Sequence, residues 1–240
     1  VTDLVVVRNV AREGPGLLAD VLDDEGVSFD IVDADDVDNS SALPPVGHHR
    51  AVVVLGGPAS ANDDTATMRA EVEWVRAVVD AGVPYLGVCL GLQVLVRAAG
   101  GRVVRNPVAE VGWRAPDGEP WTVALTDAGR ADPLLAGVPD EFAVFQLHGE
   151  TVEPTPEMAV LATGRHCRDQ IVRAAPHAYG IQAHVECTPQ MLAVWADEDP
   201  ALAPLDRESL LRSADAFTAS YREHGWTLLR NFLQIAGLVP

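Results

Sequence analysis

Two apolar patterns alternate along the first hundred residues. Unbroken blocks, "DLVVVRNV" at 3–10, "RAVVVLGG" at 50–57 and "PYLGV" at 84–88, predict buried strands, and "SFDIVDA" at 28–34 predicts another. Helical spacing falls between and after them. The segment 14–26 carries Leu17, Leu18, Val21 and Leu22 on one face, with Gly26 as its stop. The segment 65–82 carries Met68, Val72, Val75, Val78 and Val79, and 90–99 carries Leu92, Leu95, Val96 and Ala99. "ALPPVGHH" at 42–49 reads as a loop. Strands alternating with helices imply a mainly parallel central sheet flanked by helices, joined by right-handed crossovers. Ligands bind such sheets at the carboxyl ends of the strands, where Gly56, Gly57 and Cys89 fall.

The second half changes rhythm. "RVVR", "WTVAL", "FAVFQLH", "MAVLATG", "QIVRAA" and "YGIQAH" read as short strands separated by turns, an extension of the sheet plus a small antiparallel ribbon. From about Asp206 to Ile235 the pattern returns to one or two helices, with Leu210, Leu211, Phe217, Tyr221, Leu228 and Phe232 among their apolar positions. No internal repeat or linker interrupts the chain.

A length of 240 residues at 48% hydrophobic content suits one α/β core. No apolar run is long enough to span a bilayer, and the start "VTDLVVVRNV" lacks the basic region of a signal peptide. The cysteines Cys89, Cys167 and Cys187 are too few and too scattered for a disulfide framework, which points to a reducing, cytoplasmic setting. The net charge is −18 and every basic residue is arginine. Such a surface repels phosphate backbones, so nucleic acid is not an expected partner. The pairs Asp23–Asp24, Asp35–Asp36 and Asp63–Asp64 read as solvated charge rather than metal ligands.

"PYLGVCLGLQVL" holds the candidate chemistry. Cys89 sits at a strand-to-helix junction with Gly87 and Gly91 two residues to either side, the G-x-C-x-G counterpart of a nucleophile elbow. A thiol at a helix N-terminus is also biased toward thiolate. A small buried cysteine between packing glycines is the competing reading. A nucleophilic cysteine needs a histidine base, itself oriented by an acceptor. In "YGIQAHVE", His184 closes an apolar strand and Glu186 follows at i+2, on the same side of an extended chain. Attack on an amide needs two donors for the oxyanion. The Leu90 amide and the glycine turn "LGGPAS" are candidates.

"LGGPAS", "GVCLGLQ" and "HVE", in this order, resemble the class I glutamine amidotransferase family. The resemblance runs from Leu4 to about Trp195. "GGRVVRNPVAEVGW" and "VFQLHGETV" are similar to segments of the stand-alone proteins that resemble the amidotransferase part of GMP synthase. It implies a flavodoxin-like fold, no cofactor, Cys89 as nucleophile, His184 as base and acid, and Glu186 as orienting acid. It also implies an oxyanion hole at Gly57 and Leu90, substrate contact by Gln93, and a turn near His148 and Gly149 closing over the pocket. The family commonly has proline between histidine and glutamate, where this chain has Val185. Residues 1–195 are expected to form the amidotransferase-like domain, with 196–240 a helical extension packed on it.

The function implied is hydrolysis of the γ-amide of glutamine through a cysteinyl thioester, giving glutamate and ammonia. The 240 residues leave no room for an ammonia-using synthetase domain, so either a separate synthetase subunit accepts the ammonia or the true substrate is a different one. A γ-glutamyl peptide or conjugate hydrolase is the alternative, and a non-catalytic scaffold is the second. A zinc site from His166, Cys167, His177 and Cys187 lacks the usual ligand spacing, and no metal is expected.

Overall fold

The computed structural model describes residues 2–34 and 43–240. The Asp35–Asp36 pair and the first residue of the 42–49 loop lie outside that set. The elements are β1 (Leu4–Arg8), α1 (Leu17–Asp24), β2 (Phe29–Asp33), β3 (Ala51–Val54), α2 (Ala66–Asp80), β4 (Tyr85–Val88) and α3 (Leu90–Ala98). They continue with β5 (Arg102–Gly112), β6 (Thr122–Leu125), α4 (Asp127–Arg130), β7 (Glu141–Ala143), β8 (Gln146–Glu153) and β9 (Ala159–Gly164). The chain closes with β10 (Asp169–Ala175), β11 (Ala178–Ile181), α5 (Pro189–Glu198) and α6 (Arg207–Ile235).

Among the described residues, nine strands form one sheet in the order β2-β1-β3-β4-β11-β10-β9-β6-β7. The strands β2, β1, β3, β4 and β11 are parallel, and the others continue the sheet antiparallel. A separate antiparallel ribbon pairs β5 with β8. This is the mainly parallel, helix-flanked α/β fold read from the alternating patterns.

The unbroken apolar blocks become strands buried on both faces, as parallel sheets require. Leu4 and Val6 of β1 face one core with α1 and α6, through Leu18, Leu22, Leu228 and Phe232. Val5 and Val7 face the opposite core with α2 and α3, through Met68, Val75, Leu92 and Val96. The period-two alternation of a strand thus feeds two layers at once. Thr65 caps α2 by accepting the Met68 amide at 3.1 Å.

Four details depart from the sequence reading. "FAVFQLH" is not one strand, because β7 stays in the large sheet while β8 crosses to the ribbon. "RVVR" is the start of the eleven-residue β5, whose register shifts between Arg105 and Glu110, around Pro107. The strand at "YGIQAH" ends at Ile181, and His184 is held instead by a bridge to Phe145. Finally, α5 was not anticipated, although Thr188 caps it by accepting the Met191 amide and Pro189 opens its first turn. The C-terminal pattern is one helix, α6, of 29 residues. No helix among the described residues is long and apolar enough to cross a membrane.

Candidate active site

The site lies where β1, β3, β4 and β11 end. Cys89 follows β4 directly and has φ 51°, the only non-glycine residue with positive φ among those described. That conformation costs roughly 1–3 kcal/mol and persists only where the surroundings enforce it. The two glycines explain the enforcement. A side-chain carbon on Gly87 would lie 2.3 Å from the backbone of Gly91, and one on Gly91 would lie 2.2 Å from the Val54 carbonyl oxygen. The start of α3 is therefore laid against the ends of β3 and β4 at backbone contact distance. The Cys89 amide donates to the Ile181 carbonyl at 2.7 Å, which ties the elbow to β11.

His184 is 1% exposed and its Nδ1 meets Glu186 Oε1 at 2.7 Å, the pairing expected from their i+2 spacing. Burial would push the imidazole pKa down, but the Glu186 carboxylate and the nearby Cys89 sulfur outweigh it and hold it well above its ordinary value. The Trp195 ring packs edge-on against the imidazole, with centroids 4.9 Å apart.

The segment His184–Glu186 is fixed from behind through three successive carbonyls. Tyr221 Oη donates to the His184 carbonyl at 2.7 Å. Gly225 of α6 lies against the Val185 carbonyl, where a side-chain carbon would come within 2.6 Å. The Leu17 amide, opening α1, donates to the Glu186 carbonyl at 2.8 Å. These contacts supply the restraint that proline would give at Val185.

A cavity of about 510 Å³ opens beside the sulfur, lined by Gly57, Cys89, Gln93, His148, Gly149 and His184 among others. Of the positions read from sequence, Leu90 is buried at the start of α3, close to Gly57. His148 and Gly149 lie inside strand β8 and not in the turn expected there, because β8 pairs with β5 through His148 and Glu150. Gln93 Nε2 donates to the Glu150 carbonyl at 3.3 Å, joining α3 to that strand beside the cavity. Two polar residues escaped the sequence reading. Gln182 is fully buried and its Nε2 donates to the Cys89 sulfur over 3.7 Å. Glu13 also lines the cavity.

The other cysteines are chemically quiet. Burial pushes the Cys187 thiol well up, and burial pushes Cys167 up to about 12. The four residues weighed for zinc are not gathered. His166 packs on Trp121 and His177 lies near Gly82. Cys167 instead joins Glu110 and His148, whose ligand-type atoms all lie within 4.8 Å of one another. Those groups are already engaged. Glu110 accepts from the Cys167 amide and Gln170 Nε2, each at 2.9 Å, and meets His148 Nε2 at 3.1 Å. Thr151 Oγ1 contacts the Cys167 sulfur at 3.0 Å. The cluster pins the ribbon to the large sheet and orients His148 at the cavity.

The sequence model of the family Glutamine amidotransferase class-I matches residues 16–193. The glutamine amidotransferase-like protein YfeJ of Salmonella typhimurium is 32% identical over 153 residues, 61% of each chain. One subunit of the glutamine-hydrolyzing GMP synthase of Methanoculleus marisnigri is 33% identical over 139 residues, 57% of this chain and 65% of that one. The chain thus spans under two thirds of these relatives. A crystal structure of a glutamine amidotransferase from Methylobacillus flagellatus superimposes with TM-score 0.84 at 27% identity, covering 98% of this chain and 95% of that one.

Proposed function

The chain belongs to the class I glutamine amidotransferase family, and on that premise we propose that it hydrolyses the γ-amide of glutamine through a thioester on Cys89. The observation that carries the reading is the convergence over Gly56 of a strained, elbow-mounted Cys89 and a His184 that is itself held by Glu186.

The Cys89 sulfur attacks the γ-carbonyl carbon as its proton passes to His184. The carbonyl oxygen becomes an oxyanion within reach of the Gly57 and Leu90 amides. As the C–N bond breaks, His184 gives its proton to the nitrogen, which leaves as ammonia. Water then attacks the thioester carbon, His184 takes the water's proton, and the C–S bond breaks to release glutamate and free thiol. Glu186 keeps Nδ1 protonated and stabilises the imidazolium of each transition state. Gln182, donating to the sulfur over 3.7 Å, helps hold it in place beside the cavity.

The cavity favours a second reading for the substrate. At about 510 Å³ it falls within the 300–1,000 Å³ range of sites that hold drug-sized ligands, which leaves room for a γ-glutamyl conjugate. Where glutamine is the substrate, a separate synthetase subunit takes the ammonia, as the resemblance to a GMP synthase subunit suggests. The test is glutamate release from glutamine and from a panel of γ-glutamyl peptides, with a thiol-reactive glutamine analogue as label. Turnover and labelling at Cys89 are expected. Neither substrate turned over and no label at Cys89 would leave a non-catalytic scaffold.

A further inference from the structure

Glu13 sits in the turn between β1 and α1, where its amide closes onto the Val10 carbonyl at 3.0 Å. Glu13 is 4% exposed, yet its Oε2 has no hydrogen-bond partner among the described residues. Leaving a buried carboxyl oxygen without a donor is unfavourable, and native structures seldom do so without a functional reason. The neighbouring Arg12 does not relieve it, because its Nη2 donates to Asp199 at 2.8 Å.

Gly56 locates the orphan atom. A side-chain carbon built on Gly56 would lie 2.3 Å from Glu13 Oε2, 2.9 Å from His184 Cε1 and 3.4 Å from Cys89 Cβ. The carboxylate oxygen, the imidazole edge and the base of the nucleophile therefore converge over one bare glycine. Glu186 already serves His184 from its Nδ1 side, so a second carboxylate is not needed to orient the ring. What the site lacks is a donor for Oε2, and the leaving nitrogen of an amide must come close to both sulfur and imidazole.

We propose that Glu13 is a substrate-binding residue that accepts a hydrogen bond from the N–H of the scissile γ-amide, selecting nitrogen leaving groups over oxygen ones. The inference rests on the amide-hydrolysis reading above. In the reaction the nitrogen gains a proton from His184 and with it positive charge. A carboxylate beside it interacts more strongly in the transition state than with the neutral amide, which is where binding accelerates a reaction. An ester oxygen has no hydrogen to offer and gains nothing from Glu13.

The experiment compares glutamine with the γ-methyl ester of glutamate in wild type, Glu13→Gln and Glu13→Leu. Glu13→Gln keeps an acceptor without charge, and Glu13→Leu removes both. For glutamine, kcat/KM should fall roughly tenfold in the first and roughly 100-fold in the second, the span expected for a lost charge-assisted hydrogen bond. Ester turnover should move less than about threefold, which also reports that the fold and the triad survive. Equal losses on amide and ester would mean that Glu13 acts through His184 or the fold, and overturn the proposal. Unchanged amide turnover would overturn it too. A wild-type protein inactive on every γ-glutamyl amide would instead sink the hydrolase reading, and the role of Glu13 with it.

Discussion

The Tyr221 hydroxyl on α6 donates to the backbone carbonyl of His184 at 2.7 Å. Tyr221 is buried among Trp113, Phe145 and Trp195 in a small core of its own. The contact joins the C-terminal helix to the histidine proposed to move the proton. With Gly225 against the Val185 carbonyl, it makes α6 the outer support of the site.

Tyr221→Phe keeps the ring and deletes only the donor. A buried carbonyl left unsatisfied costs about 1–3 kcal/mol. The expected result is a modest fall in melting temperature with a roughly 3- to 10-fold loss of kcat, since a slightly loosened base is penalised in the transition state. Steady-state kinetics and a thermal melt on the same preparation check it. A variant that melts lower with kcat intact would place α6 outside the support of His184.

Variants of the proposed triad should rank. Cys89→Ala removes the only group that can form the thioester and should reduce turnover roughly a thousandfold or more. His184→Ala removes the proton carrier and should fall nearly as far. Glu186→Gln can still accept from Nδ1 but cannot stabilise the imidazolium, so its loss should be the smallest. Glutamate release measured across the three gives the order, and an inverted order would mean the roles are misassigned.

Gly91→Ala should fail at the level of the fold. The added carbon would lie 2.2 Å from the Val54 carbonyl oxygen, which belongs to β3 and cannot move without breaking the sheet. Overpacking of this kind costs roughly 1–3 kcal/mol or more. Gly149→Ala is the control, because a side-chain carbon there meets nothing within 4 Å among the described residues. Thermal melts of the two should differ by several degrees, and equal stability would contradict the close crossing at the elbow.

How far the sequence could be read follows from which constraints are local. The strands of the parallel half were legible because burial on both faces leaves unbroken apolar runs such as Leu4–Val7. The elbow was legible because its backbone demands glycine at 87 and 91. His184 and Glu186 were legible because two residues of extended chain bring their side chains to one side. Glu13 was not, because "REGPG" reads as solvated loop charge, and only the tertiary crossing beneath Gly56 buries it. Gln182 reads as an ordinary strand end until Cys89 is brought opposite. The split of "FAVFQLH" was hidden because alternation tells which face a residue takes but not which sheet pairs with it. The helix α5 is different, since its Thr188–Pro189 start carried a readable signal.

Glu13 should also shape the pH dependence of stability. Burial raises its pKa above the ordinary 4.5, opposed by His184 and reinforced by Glu186, with Arg12 and Asp199 as weaker influences. A carboxyl with a raised folded pKa contributes stability that is fully present below its unfolded value and is lost as pH rises through the folded value. Gln at this position does not titrate. The melting temperature of Glu13→Gln, relative to wild type, should therefore climb as pH rises from about 4.5 through the raised folded value and level off above it. Melts at half-unit pH steps test this, and a difference that stays level or shrinks would show that Glu13 is not held in a desolvated setting.

The surface makes the last prediction. The chain has 35 acidic residues against 17 basic ones, all arginine, for a net charge of −18. Many arginines are already paired at the surface, as Arg8 with Asp33 at 2.5 Å and Arg207 with Asp197 at 2.6 Å. Such exposed pairs are worth roughly 0–1 kcal/mol each, so screening them costs little. The unpaired acidic excess repels itself over longer distances, and salt relieves that repulsion. The Debye length falls from about 10 Å at 0.1 M to about 3 Å at 1 M. The melting temperature should rise across that range, and the same titration on a variant with several exposed Asp changed to Asn should give a shallower slope. A flat or falling curve in the wild type would mean that repulsion among the acidic groups does not limit stability.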